Sequence, residues 1–160
     1  MKKSVQDSNT IASSMDEATA HTIEHFIEKM GLIAQADGLP RIAGRILAVL
    51  VIYDEPHSFT DLTEKLAVSR GSISTNTRLL VNLGLIERST KKGERQDYFV
   101  LRENPYTSLM QGIEARTQEA RALLKATKSD LPDVLEGAQT RLSQMLDFYN
   151  KFSEAVKSLT

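Results

Sequence analysis

The chain has 160 residues, the size of one ordinary domain, and its 41% apolar and 26% charged residues suffice for a buried core. It contains no cysteine, which excludes a disulfide scaffold, a thiolate-bound metal site and a thiol nucleophile. The formal net charge is −1, so the total charge alone does not indicate a polyanionic partner.

The N-terminal segment predicts neither export nor membrane insertion. Lys2 and Lys3 are followed by polar residues instead of an apolar stretch, and residues 1–14 are expected to form a flexible arm. The longest apolar run, Ile46 to Tyr53, is eight residues, far below the ~20 that cross a bilayer. We therefore expect a cytoplasmic protein.

Helical periodicity begins near Met15. Apolar residues then recur at intervals of three and four as far as about Gln35, which predicts an amphipathic helix. Gly38 suits the end of that helix, and Pro40 suits the first turn of the next. The second helix, Pro40 to about Asp54, is apolar nearly all round from Ile46 to Ile52, so we expect it to be the buried one.

Two shorter helices follow Pro56. Thr60 is the predicted N-cap of a helix that runs to about Ala67, with Leu62 and Leu66 facing inward. Ser69 is the predicted cap of a further helix to about Leu83, and Gly84 suits the left-handed position after it.

A two-stranded hairpin is predicted after Gly84. Leu85–Arg88 and Asp97–Arg102 have the composition of strands, and the polar segment from Ser89 to Gln96 joins them. Eight residues is long for a hairpin loop, so we expect an exposed and mobile tip.

The C-terminal part is predicted to be two helices, one from Tyr106 to about Ser129 and one that runs to the C-terminus after Leu131-Pro132. Apolar residues of the last helix are spaced 3-4-3-4-3-4-3 from Leu135 to Leu159. This seam could serve as a dimer interface, as intrachain packing or as a docking face for another protein. We favour the dimer, since symmetric dimers are the commonest oligomers. The predicted interface residues are Leu135, Leu142, Met145, Tyr149, Phe152 and Val156.

The order helix, turn, helix, hairpin is typical of a winged helix-turn-helix, whose second helix enters the DNA major groove. On a helical wheel, Ile73, Asn76, Leu80 and Leu83 face the core. The opposite arc holds Gly71, Ser74, Thr75 and Arg78, with Asn82 further along. Short hydrogen-bonding side chains, an arginine and a glycine form a surface suited to base edges and phosphates.

Charge is unevenly distributed along the chain. Ser69 to Arg102 holds seven bases and three acids, a net +4, whereas the remaining residues hold 13 bases and 18 acids, a net −5. A basic segment on an otherwise acidic chain is the expected footprint of a duplex-binding face. The loop bases Lys91, Lys92 and Arg95 are within reach of phosphates or of an adjacent minor groove.

The stretch from Gly38 to Leu101 resembles the MarR-type winged-helix repressors, in particular the GbsR branch. The motifs that carry this resemblance are DEP, VSRGSIS, LGLIER and GER-x-DYF. The resemblance implies a homodimeric transcription regulator in which residues 38–103 are the DNA-binding domain, and residues 15–37 and 104–160 supply dimerisation helices. It gives the recognition-helix role to Ser69, Arg70, Gly71, Ser72, Ser74, Thr75 and Arg78, and the wing role to Lys91, Lys92 and Arg95.

The sequence is open to three other interpretations. His21-Thr22-Ile23-Glu24-His25 matches an inverted zinc-protease motif, but a surface or dimer-contact pair is favoured because no catalytic domain surrounds it. The aromatic residues Tyr53, Phe59, Tyr98, Phe99 and Tyr106 either frame a pocket for a small-molecule effector or pack in the core, which is favoured. The winged helix could also be a protein–protein module.

The sequence thus predicts a mainly α protein with a small β-hairpin wing: a winged helix-turn-helix flanked by long N- and C-terminal dimerisation helices. The expected partners are double-stranded DNA, a second copy of the chain and a small-molecule effector whose identity is not indicated. We expect no catalytic residue, metal or cofactor. The expected function is repression of transcription by a homodimer on an inverted-repeat operator.

Overall fold

A computed structural model describes residues 17–91, 93–94 and 96–159. The predicted arm, residues 1–14, and the loop residues Lys92 and Arg95 lie outside this described part of the chain.

The described residues form six helices and three short strands. In chain order these are α1 (Glu17–Ala36), α2 (Arg41–Ile52), β1 (His57–Ser58), α3 (Phe59–Leu66), α4 (Arg70–Asn82), β2 (Ile86–Ser89), β3 (Tyr98–Leu101), α5 (Pro105–Asp130) and α6 (Glu136–Lys157). This mainly helical fold with a small antiparallel sheet confirms the predicted fold class.

The chain divides into two compact units. One extends to Val81 and includes Ile86–Leu101, and the other comprises Asn82–Leu85 with the chain from Arg102 onward. The first unit therefore contains α1, the helix-turn-helix and the hairpin, and the second contains α5 and α6.

The core of the first unit forms where α2, α3, α4 and the sheet meet. Its largest fully buried side chains include Ile46, Leu62, Ile73 and Phe99. Phe59 packs edge-to-face on Phe99, with ring centroids 5.1 Å apart. Burying each such side chain contributes roughly 1.5–3 kcal/mol, so this cluster holds the helix-turn-helix against the sheet.

The second helix, α2, is less buried than its composition predicts. Ile46, Val49 and Leu50 are buried, but Val51 and Ile52 are 44% and 39% exposed. The helix also ends at Ile52, two residues before the predicted end at Asp54. The expectation that this is the buried helix is therefore confirmed as far as Leu50 and wrong for the last turn.

The start of α3 differs from the prediction. Ser58, and not Thr60, is the N-cap: its hydroxyl accepts a hydrogen bond from the Asp61 backbone N–H at 3.1 Å. The Asp61 carboxylate in turn accepts from the Ser58 backbone N–H at 2.8 Å, which completes a capping box.

The sheet contains a strand that the sequence did not predict. Its order is β1-β3-β2, with both pairs antiparallel. β1 joins the predicted hairpin by pairing His57 with Phe99 and Ser58 with Tyr98. The strand directly before the helix-turn-helix thus ties it to the wing.

The second unit is an antiparallel pair of long helices. Side chains bridge α5 and α6: Ser153 Oγ donates to Glu114 Oε1 at 2.8 Å, and Arg121 Nε donates to Asn150 Oδ1 at 2.7 Å. The Gln139 amide donates to the carbonyls of Lys128 and Leu131, and so satisfies carbonyls at the end of α5.

Candidate nucleic-acid interface

The N-terminus of α4 is an exposed, polar turn. Ser69 Oγ accepts from the Ser72 backbone N–H at 3.2 Å and lies 3.1 Å from the Ser72 hydroxyl, so Ser69 caps the helix as predicted. Arg70 Nη2 donates to Thr60 Oγ1 at 3.2 Å. Thr60 therefore belongs to this surface, as an orienting contact for Arg70 that the sequence did not indicate.

One face of α4 is anchored in the core. Ile73, Asn76, Thr77 and Leu80 are buried. Asn76 Nδ2 donates to the Ser72 carbonyl and Thr77 Oγ1 to the Ile73 carbonyl, each at 2.8 Å, so the Asn76 amide nitrogen and the Thr77 hydroxyl find their partners within the helix, whereas the buried Asn76 Oδ1 has none. Leu83, expected on this face, is only half-buried and lies beyond the helix.

The opposite face of α4 presents the predicted polar arc. Gly71, Thr75 and Arg78 are exposed, and Ser72 and Ser74 are partly exposed. A Cβ atom at Gly71 would meet only Ser69 Oγ, at 3.9 Å. Since protein packing does not require a glycine there, the arc has room for the close approach of another molecule.

The turn between α3 and α4 is held from behind by Arg45. Its Nη2 donates to the Leu66 carbonyl at 3.0 Å, next to Ala67, which adopts a left-handed conformation with φ 51°. The Arg45 Nε lies 2.7 Å from Glu28 of α1, and Arg41 Nη2 lies 2.6 Å from the same carboxylate. The Arg41 hydrogen bond lowers the pKa of Glu28. Arg45 thus links α1 to the helix-turn-helix, a role that sequence pattern did not reveal.

Two described residues of the wing loop, Lys91 and Glu94, contact Tyr98. Lys91 Nζ lies 4.3 Å from the centre of the Tyr98 ring, and the Tyr98 hydroxyl donates to the Glu94 carboxylate. Gly93 has φ +88°, which closes the tip with a Glu94 N–H to Lys91 carbonyl bond of 3.0 Å. At the base of the loop, Arg88 lies 3.6 Å from Asp97.

The five aromatic residues considered for an effector pocket occupy different environments. Phe59 and Phe99 pack in the core, Tyr98 supports the wing, and Tyr106 in the second unit is 65% exposed. Tyr53 lines a cavity of about 250 Å³ between α1, α2 and α3, where Lys65 Nζ lies 4.2 Å from its ring centre.

His21 and His25 are exposed on α1. Across residues 17–91, 93–94 and 96–159, no group of three His, Asp or Glu side chains is placed to hold a metal ion. Within these ranges no helix is long and apolar enough to cross a membrane.

The predicted dimer face on α6 is divided by its packing on α5. Val156 is buried, and Leu142 and Tyr149 are half-buried. Leu135, Met145 and Phe152 are exposed, together with the neighbouring Phe148, whose ring stacks on Phe152 with centroids 5.9 Å apart. The helix begins after Leu135, the residue at its N-cap position.

Within the first unit, a helix-turn-helix is followed by a hairpin and braced by a strand that precedes it. These elements define a winged helix-turn-helix protein. Residues 37–96 match the model of the MarR family. A crystal structure of a transcriptional regulator is 33% identical, covers 86% of this chain and 95% of its own, and superimposes with a TM-score of 0.76. The chain belongs to the MarR family of winged-helix transcriptional regulators.

Two curated relatives support this assignment. The HTH-type transcriptional regulator MmpR5 of Mycobacterium tuberculosis is 39% identical over 113 residues, which are 70% of this chain and 64% of that protein. The chain thus spans a little under two thirds of that relative. The HTH-type transcriptional repressor OpcR of Bacillus subtilis is 23% identical over 137 residues, 79% of this chain and 74% of its own. These relatives are regulators and not enzymes, as expected, whereas the GbsR branch stays a prediction.

Proposed function

We propose that the protein is a sequence-specific DNA-binding repressor that acts as a homodimer on an inverted-repeat operator. The observation that carries this proposal is the two-sided character of α4. Its apolar face is fixed in the core, while the Gly71, Thr75 and Arg78 face is exposed and open. A rigid helix with such a face fits the dimensions and chemistry of the major groove.

In this proposal the exposed face of α4, from its N-cap Ser69 to Arg78, approaches base edges and phosphates. Ser69, Ser72, Ser74 and Thr75 offer short hydroxyls, which suit hydrogen bonds to either kind of group. Arg78 and Arg70 carry the positive charge, and a bidentate Arg78 contact to a guanine would contribute sequence discrimination. The backbone can come close at Gly71 because no side chain intervenes.

The wing is proposed to hold the DNA backbone or the adjacent minor groove through Lys91, Lys92 and Arg95. These bases lie in the segment of net charge +4, whereas the rest of the chain has −5. Phosphate contacts of this kind supply affinity without sequence information, and they make binding steeply dependent on salt.

Dimerisation is proposed to use the apolar residues of α6 that α5 leaves exposed. Leu135, Met145 and Phe152 of the predicted interface are among them, together with Phe148. Helix α1 and helix α5 are proposed to complete the interface. A two-fold dimer would place the two α4 helices in successive major grooves about 34 Å apart, which is why we expect an inverted repeat.

Repression is proposed because the relative OpcR is named a transcriptional repressor. A small molecule that favours another spacing between the two winged domains would weaken DNA binding by population shift. The same surfaces could instead dock a protein, and the experiments below separate this alternative from DNA binding.

The direct test replaces Arg78 with Ala and measures affinity for a selected operator and for random duplex. A base contact predicts a loss of ~1–3 kcal/mol on the operator and a smaller loss on random DNA. Arg116→Ala removes the same charge at an exposed position of α5, outside the proposed DNA-binding surface. It is the matched control: once sedimentation shows that this variant is still a dimer, it should bind as the wild type does. If the Arg78 variant binds the operator as tightly as the wild type does, the proposed role of α4 is contradicted.

The dimer is tested by sedimentation of Phe152→Asp. A buried, unpaired charge at the interface should shift the protein to monomer and weaken operator binding. Val51→Asp, which places the same charge at an exposed apolar site of α2, should leave the oligomeric state unchanged. A Phe152 variant that remains dimeric would remove this residue from the interface.

A further inference from the structure

We propose that Tyr98 is a positioning residue of the wing, which fixes both sides of the loop between β2 and β3 and presents Lys91 in advance of DNA binding. The inference rests on the proposed function, because Lys91 matters here as a contact to DNA.

Tyr98 is placed to act as an anchor. It is the first residue of β3, only 4% exposed, and pairs with Ser89 of β2 on one side and Ser58 of β1 on the other. Its backbone is therefore held within the sheet, while its hydroxyl and one ring face reach the loop. A side chain fixed at its root can restrain the groups that contact it.

The hydroxyl restrains the C-terminal side of the loop. It donates to the Glu94 carboxylate, while the Gln96 amide donates to the Tyr98 oxygen at 2.8 Å and to Glu94 at 3.1 Å. The Tyr98 hydrogen bond lowers the pKa of Glu94, and the neighbouring carboxylate raises the pKa of Tyr98. The three side chains form a closed set of hydrogen bonds.

The ring restrains the N-terminal side of the loop. Lys91 Nζ lies over its face at 4.3 Å, the geometry of a cation–π contact. The turn at Gly93 joins this contact to the hydroxyl network, since the Glu94 N–H donates to the Lys91 carbonyl at 3.0 Å. Both flanks of the tip are thus connected to one tyrosine.

Two consequences for binding follow. Lys91 and Glu94, whose side chains are already held by Tyr98 in the free protein, lose less conformational entropy when the wing meets DNA. The Glu94 carboxylate, held by the Tyr98 hydroxyl, is also restrained from approaching phosphates, whose charge would repel it. Removal of the hydroxyl abolishes the second effect and reduces the first, because only the ring contact with Lys91 remains.

Limited trypsin digestion tests the loop without DNA. The sequence supplies four cleavage sites in and beside it, after Arg88, Lys91, Lys92 and Arg95. Tyr98→Phe keeps the ring and should be cleaved in this segment several-fold faster than the wild type. Tyr106→Phe, which changes an exposed tyrosine outside the wing, should be cleaved at the wild-type rate.

Variants of Glu94 test the same network without altering β3. Glu94→Ala removes the acceptor and should reproduce the faster cleavage, whereas Glu94→Gln keeps an acceptor and should retain protection. Ultraviolet titration adds a spectroscopic readout. The Tyr98 phenol should ionise at lower pH in Glu94→Gln than in the wild type, because the negative charge that opposes ionisation is gone.

DNA binding completes the test. Tyr98→Phe should weaken affinity about three- to tenfold, the range of one lost hydrogen bond, for operator and random duplex alike. Unchanged cleavage or unchanged affinity of this variant would overturn the role of Tyr98. If the wild type itself binds no DNA, the proposed function fails, and the presentation of Lys91 fails with it.

Discussion

Replacement of Gly44 by alanine should destabilise the protein, although alanine is the better helix former. Gly44 lies where α1 crosses α2, and a Cβ atom there would come 2.5 Å from the Ala34 Cβ, 2.6 Å from the Met30 carbonyl oxygen and 3.0 Å from the Gly31 Cα. Two of these atoms belong to the backbone of α1, so no side-chain rotation relieves the clash. The two helices must move apart.

The magnitude follows from two opposing terms. Alanine gains up to ~1 kcal/mol of helix propensity over glycine, whereas overpacking of this kind costs ~1–3 kcal/mol and more where backbone must move. Because backbone atoms form most of the clash, we expect the upper part of that cost and a net loss of ~1–3 kcal/mol. For a chain of this length each kcal/mol shifts Tm by about 2–4 °C, so Tm should fall by about 2–12 °C.

The assay is thermal unfolding followed by circular dichroism and calorimetry, with Gly112→Ala as the matched control. A Cβ at Gly112 would meet only Arg116 Nη1, at 3.4 Å, the movable end of a flexible side chain. This variant should therefore gain about 0.5–1 kcal/mol. The same glycine-to-alanine substitution should thus lower the free energy of unfolding at Gly44 and raise it at Gly112. A Gly44 variant as stable as the wild type would refute the close crossing of α1 and α2.

The remaining predictions concern the helix-turn-helix and its strand. Ser58→Ala removes the capping box of α3 and should lower the free energy of unfolding, measured in urea, by ~1 kcal/mol. Thr60→Ala, which lies outside the cap, should lower it far less. Equal losses in the two variants would contradict Ser58 as the N-cap. Ala67 has a left-handed backbone conformation with φ 51°, which is strained for any residue with a Cβ atom. Ala67→Gly removes this strain and should stabilise the protein by ~1 kcal/mol. A loss of stability would show that the turn has another conformation. Burial lowers the pKa of His57, so the unfolded chain takes up a proton at this residue more readily than the folded protein does. Stability should therefore fall as the pH is lowered through about 6.5, the ordinary pKa of histidine. His57→Gln should reduce this fall, and an equal fall in the variant would exclude His57 as its source.

The sequence predicted the helices well because their signals are local. The apolar spacing of α1, the cap at Ser69 and the left-handed glycine at Gly84, with φ +73°, depend on neighbouring residues only. The polar arc of α4 was predictable for the same reason: a buried stripe with Ile73 and Leu80 fixes which residues lie on the opposite face.

The errors lie where distant residues decide the structure. Strand β1 is two residues long, too short for a periodic signal, and it exists because β3 offers it a free edge. Val51 and Ile52 are exposed because the core of the first unit does not extend to the last turn of α2. The N-cap of α3 could have been predicted from the sequence, since Asp61 lies three residues after Ser58 and completes a capping box with it.

The candidate site was predicted in its residue types but not in its supports. Sequence pattern identified the exposed arc of α4 and the basic loop, because helical periodicity and charge can be read directly from the order of the residues. Pattern did not identify the residues that support this site, because each acts through a contact that only the fold creates. These residues are Thr60 beside Arg70, Arg45 behind the turn and Tyr98 beneath the wing.

The measurement that tests the central claim most directly is selection of the purified protein against a random duplex library at near-physiological salt. The proposed homodimeric repressor predicts enrichment of an inverted repeat, with half-sites about one helical turn apart. Binding that is salt-sensitive but selects no motif would contradict sequence-specific regulation. Failure to retain any duplex would contradict DNA binding altogether and favour the winged helix as a protein-docking module.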